Sequence, residues 1–112
     1  MIDRQKLWQK YEGRCAYCGE KITIENMQKD HIIPKVHFYK YPGKDLDKED
    51  NLNPSCRKCN NFKFRYTIEE LRYELEMQVE RLKKIPQFDR ALRFGLIHIT
   101  NKSVKFYFQE YL

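Results

Sequence analysis

The sequence predicts a small α+β domain, and three observations carry that prediction. Two Cys-x-x-Cys pairs stand far apart, Cys15 with Cys18 and Cys56 with Cys59. Between them, two short extended stretches flank a long charged loop. Beyond them, Ile68, Leu71, Leu75, Val79 and Leu82 recur at helical spacing. A chain of 112 residues suits one domain. A domain this small buries only a modest share of its surface, so a covalent or metal staple adds what the core lacks.

Taken in order, Asp3 is placed to cap a helix over about residues 4–12. Leu7, Trp8 and Tyr11 share one face of it, and Gly13 supplies a left-handed stop. Cys15-Ala16-Tyr17-Cys18-Gly19 reads as a knuckle that points both sulfurs at one ion. A strand is expected over residues 28–33, ended by Pro34, which cannot continue a ladder. Residues 35–50 form a loop in which Lys35, Lys40, Lys44 and Lys48 alternate with His37, Phe38, Tyr39 and Tyr41. That mixture suits a nucleic-acid contact surface, and it equally suits a solvated loop with a few rings tucked onto the core. Asn51-Leu52-Asn53 reads as a return strand. Pro54 and Ser55 then open a helix that carries Arg57, Lys58, Asn60 and Lys63.

Thr67 and Glu70 form a capping box for a helix over residues 68–85, which Pro86 ends. A shorter helix over residues 88–94 stops at Gly95. The tail alternates, with Val104, Phe106 and Phe108 on one side and Lys105 and Tyr107 on the other, so a C-terminal β-hairpin is expected there. Such a hairpin can pack on the domain or pair with a second copy, which leaves monomer and homodimer both open.

Lys and Arg number 22 against 16 Asp and Glu, a net charge of +6. This balance favours a polyanionic partner, nucleic acid first. No apolar run is long enough to span a bilayer, so no membrane partner is expected. The N-terminal residues do not lead into a signal-peptide core, which points to the cytoplasm. In that compartment paired Cys-x-x-Cys motifs are metal ligands rather than disulfides. Four thiolates suit tetrahedral zinc and leave it no open position, so the zinc is structural. Iron on the same ligands has no supporting feature.

The order Cys-x-x-Cys, Asp30-His31-Ile32-Ile33-Pro34, Asn51-Leu52 and Cys56-x-x-Cys59-Asn60-x-x-Lys63 resembles the HNH endonucleases over about residues 13–64. The resemblance implies a ββα-metal core stapled by the four-cysteine zinc site; the helical and hairpin extension read over residues 65–112 lies outside it. It implies that His31 is the general base, that Asp30 and Asn60 hold a catalytic Mg²⁺ or Mn²⁺, and that Asn51 braces the loop and helps orient His31. Arg57, Lys58 and Lys63 become candidate DNA contacts. Relatives carry Gly-Gly in the loop where this chain has Tyr41-Pro42-Gly43-Lys44. The residue chemistry agrees with these roles. Imidazole exchanges a proton with water near neutrality, and a hard cation takes carboxylate and amide oxygens. The expected function is metal-dependent hydrolysis of phosphodiester bonds in double-stranded DNA. Its rivals are a zinc-ribbon module that binds nucleic acid without cutting it, and an RNA-cleaving nuclease. His37 and His98 match no motif position.

Overall fold

The computed structural model describes residues 3–111. They divide into two compact units, one formed by residues 3–68 with 105–111 and the other by residues 69–104.

The first unit opens with helix α1, Arg4–Gln9. The Asp3 carboxylate accepts from the Lys6 N–H at 2.8 Å, which caps the helix as the sequence predicts. The chain leaves α1 through Glu12 and Gly13, at φ 54° and 78°. Gly13 is required twice over, because a Cβ there would stand 2.6 Å from the Trp8 ring. Trp8 Nε1 donates to the Ile22 carbonyl at 2.8 Å and pins the ring in place.

Strand β1, Gln28–His31, pairs antiparallel with β2, Leu52–Ser55. The register sets Asp30 opposite Asn53 and His31 opposite Leu52, with no residue bulged out between them. Pro54 lies within β2, opposite Lys29, with its missing N–H on the side away from β1, where its carbonyl accepts from the Ala16 N–H at 2.8 Å. Leu7, Met27 and Leu52 form the apolar core, with Trp8 and Ile22 packed against it. Burying each such side chain contributes about 1.5–3 kcal/mol, a small sum for a domain. Helix α2, Arg57–Lys63, follows β2 and packs on β1. Strand, strand and helix thus form the expected ββα core.

The loop over residues 35–50 is more ordered than its composition suggests, with a 3-10 helix at Lys35–Lys40 and another turn at Glu49–Asn51.

The second unit holds α3, Ile68–Glu76, which begins at its boundary, then α4, Gln78–Leu82, and α5, Pro86–Arg93. The single helix expected over residues 68–85 is interrupted at Met77 (φ −82°, ψ −6°) and closes at Leu82. Pro86 opens α5, since its missing N–H is no loss in a first turn. Arg72 Nε donates to the Val104 carbonyl at 3.3 Å, and the Val104 N–H donates to Glu76 at 3.1 Å. The two ends of this unit are thereby tied to each other. Among the described residues no helix is long and apolar enough to cross a membrane.

The C-terminal β-hairpin is a correction. Residues 96–106 form no strand, His98 lies on an exposed irregular stretch, and Tyr107–Glu110 is a short helix, α6. The alternation has a different cause. Phe106 and Phe108 stack on each other, with ring centroids 6.2 Å apart, and both meet the Tyr17 ring edge-on. The backbone is held there by Tyr107 N–H to the Tyr17 carbonyl and Phe108 N–H to the Ala16 carbonyl. Alternate rings dock on a knuckle instead of lining a sheet.

Candidate nuclease site and metal cluster

The four cysteine sulfurs lie within 4.8 Å of one another. A tetrahedral ion with metal–sulfur bonds of about 2.3 Å sets its sulfurs about 3.8 Å apart, and Cys18 Sγ stands 3.9 Å from Cys56 Sγ. Each knuckle is shaped by its own backbone. The Tyr17 N–H points at Cys15 Sγ and the Cys59 N–H at Cys56 Sγ, both at 3.4 Å.

Electrostatics give the same answer as distance. Hydrogen bonding from Cys59, with backbone N–H groups behind it, pulls the Cys15 thiol down to about 4. Burial pushes Cys18 up to about 11, and the hydrogen bond to Cys15 drives Cys59 upward. The protein itself favours the thiolate of Cys15 and disfavours those of Cys18 and Cys59, and a multivalent cation would let these ionise as well. The cluster fits a metal ion.

Asp30 is buried in β1. Its Oδ2 accepts from the Tyr17 hydroxyl, and its Oδ1 lies 3.2 Å from Lys63 Nζ. The same ammonium donates to the His31 carbonyl at 2.8 Å. Asn53 Nδ2 reaches the Tyr17 oxygen at 3.4 Å, while Asn53 Oδ1 is buried without a partner. Burial raises the Asp30 carboxyl above its ordinary value, with Lys63 opposing, and burial lowers Lys63, with Asp30 opposing. For both groups desolvation outweighs the partner's attraction, as is common for a buried ion pair.

Lys63 departs from its expected role. It is fully buried and turned inward, so its side chain is not a surface contact for phosphate. Arg57 and Lys58, in the first turn of α2, are exposed as expected. Asn60 lies one turn before Lys63, on the face that α2 turns to β1, and is half-buried.

Asn51 is buried and bonded wholly to the loop. Its Oδ1 accepts from the Ile33 N–H at 2.9 Å, and its Nδ2 donates to the Leu46 and Ile33 carbonyls at 2.8 and 3.2 Å. These bonds close the loop over residues 33–46 behind His31. The bracing role fits this geometry, and direct chemistry by the amide does not.

His31 ends β1. Regular alternation sends its ring to the face opposite Asp30, yet the two stand close enough that positive charge on His31 favours the Asp30 carboxylate. The ring instead meets Asp47, with Nε2 and Oδ1 2.7 Å apart, and rests edge-on against Phe38. Lys29, His31, Lys35, Asp47 and Leu52 line a cleft there. An Nε2–H given to Asp47 leaves the lone pair of a neutral ring on Nδ1. Sequence reasoning missed Asp47. Only its place in an acidic stretch before Asn51 marked it, and that stretch reads equally as solvated surface.

A ββα core, with four cysteines placed to hold a metal ion and a histidine held by a carboxylate, defines a small domain of nuclease type. Comparison with known proteins points the same way. Residues 15–64 match the model of the HNH endonuclease family. A 66-residue stretch, 54% of the chain, is 35% identical to a protein of Corynebacterium diphtheriae described as the CRISPR-associated endonuclease Cas9. The match spans only 6% of that relative's length.

Proposed function

We propose that the protein is a metal-dependent endonuclease that hydrolyses phosphodiester bonds in double-stranded DNA. The observation that carries this reading is the His31–Asp47 pair, set at the end of β1 inside the segment that matches the HNH family. Asp47 positions His31. It holds the Nε2–H, which leaves the lone pair on Nδ1 to take a proton from the attacking water. Asn51 keeps the loop that bears Asp47 closed against the strand. Arg57 and Lys58 bind the DNA backbone from the exposed first turn of α2.

Asp30 and Asn60 are the groups that would hold the catalytic Mg²⁺ or Mn²⁺. Their donor types fit a hard cation, since each carboxylate oxygen keeps a second lone pair and an amide adds a neutral oxygen. Lys63 stands on the same carboxylate, so a cation held there would have to share Asp30 with an ammonium 3.2 Å from Oδ1. When bound, the cation supplies polarisation of the phosphate and charge relief for the leaving oxygen. The four cysteines hold zinc, whose role is to tie the knuckle after α1 to the start of α2. We place the protein in the cytoplasm.

The test is cleavage of supercoiled plasmid with Mg²⁺, Mn²⁺ or EDTA, by wild type and by His31→Ala, with zinc content measured on both. Cutting that needs added metal and is lost in a zinc-loaded His31→Ala protein supports the reading. A protein that binds zinc and DNA and cuts under no condition is a binding module instead.

A further inference from the structure

Phe64 occupies a backbone conformation that favours glycine. It follows α2 at φ 43°, ψ −106°. The Tyr66 N–H donates to the Lys63 carbonyl at 2.7 Å, which makes residues 63–66 a β-turn with Phe64 at its first central position. With these angles the turn is of type II′, where that position is dominated by glycine. Packing does not repay the strain, because the Phe64 side chain is 70% exposed. A bare apolar ring on a strained backbone is doubly unfavourable to the free protein, and such strain gathers where a contact needs it.

The surroundings indicate the contact. The Arg65 guanidinium lies 5.0 Å from the Phe64 ring centroid, and the Phe62 ring beside it is also exposed. Two hydrogen bonds fasten this turn to the His31 region. Lys63 Nζ reaches the His31 carbonyl at 2.8 Å, and His37 Nε2 donates to the Arg65 carbonyl at 3.1 Å.

We propose that Phe64, backed by Arg65, is a stacking platform for an unpaired base of the nucleic acid that lies against His31. Every base offers a flat face to an aromatic ring, and the guanidinium adds attraction to the ring and to an adjacent phosphate. The chain's net charge of +6, with Arg57 and Lys58 exposed on the same helix, favours a polyanion over an apolar protein partner. This inference deepens the nuclease reading and rests on it for the choice of occupant. It requires the strand to be open, or opened, beside the scissile phosphate.

Strain and contact predict opposite signs for one substitution. Phe64→Gly relaxes the turn, so its melting temperature rises above that of the parent. In a His31→Ala background, affinity for a fluorescein-labelled single-stranded oligothymidylate falls about 5- to 100-fold, while affinity for a duplex of equal length changes little. Phe64→Trp restores single-strand binding. A Phe64→Gly protein that melts lower and binds oligothymidylate as before shows the ring to be structural and overturns the proposal. Unchanged single-strand binding together with loss of a concentration-dependent dimer in sedimentation makes a second copy the occupant, and overturns it equally. Binding is read without cleavage, so the two readings fail separately. A protein that holds oligothymidylate through Phe64 and never cuts plasmid keeps the platform and loses the nuclease.

Discussion

The four cysteines and the Asp30–Lys63–Tyr17 group both bury ionisable side chains in a domain too small to shield them well, and they balance charge by different means. Among the cysteines the protein supplies only hydrogen bonds, so full ionisation needs a cation from outside. Around Asp30 the protein supplies its own cation, with Lys63 sealed at 0% exposure beside the carboxylate. Tyr17 belongs to both groups, giving its N–H to Cys15 and its hydroxyl to Asp30. The difference teaches where the domain depends on its surroundings. One cluster would gain stability from a cation in solution, and the other costs desolvation that its own lysine only partly offsets.

The comparison breaks first at the metal. Structural zinc in small domains contributes an apparent 10–16 kcal/mol or so, far more than this core can replace. Chelation, or Cys56→Ser, is expected to abolish the cooperative melting transition followed by circular dichroism. A chelated protein that melts unchanged would mean the cluster does not hold the fold.

Next in size is Lys63→Met, which strands a buried carboxylate and is expected to cost about 3–5 kcal/mol in urea denaturation. An unchanged urea midpoint would show that water reaches Asp30 and the pair is not sealed. The sharper form adds Asp30→Leu to Lys63→Met. Removing both charges is expected to recover most of the loss, because desolvation disappears with them. Losses that simply add would instead mean that the pair stabilises the fold.

The smallest effect lies outside both clusters. Glu80 and Lys83 pair on the surface at 3.2 Å, and Lys83→Ala is expected to change stability by no more than about 0.5 kcal/mol. A larger loss would show that exposed pairs matter here in the way buried ones do.

What the sequence disclosed follows from how local each signal is. The cysteine knuckles and the Asp3 cap depend on a few neighbouring residues, and both stand where expected. The strand–strand–helix order was legible because its motif spacing and turn residues agree. The tail misled because alternation records two faces without saying what covers them, and here Phe106 and Phe108 share one ring, Tyr17. Lys63 was misplaced because a lysine at the end of an exposed-looking helix gives no local sign that it faces a buried carboxylate. Asp47 and Phe64 gain their meaning from tertiary geometry, one by meeting His31 across a loop and the other by its φ angle.

The docking of Phe106 and Phe108 on Tyr17 also bears on the order of assembly. The unit built around the cysteines is discontinuous in the chain, and its closing piece lies beyond the whole of residues 69–104. A ribosome therefore releases the sheet, the knuckles and α2 well before the segment that covers Tyr17, and that face of the nascent unit stays bare until synthesis passes Phe108. The intervening stretch can vary in length at little cost, since each doubling of a closed loop adds only about 0.6 kcal/mol. The same chain path that delays completion leaves residues 69–104 as ground on which insertions can be tried without disturbing the site.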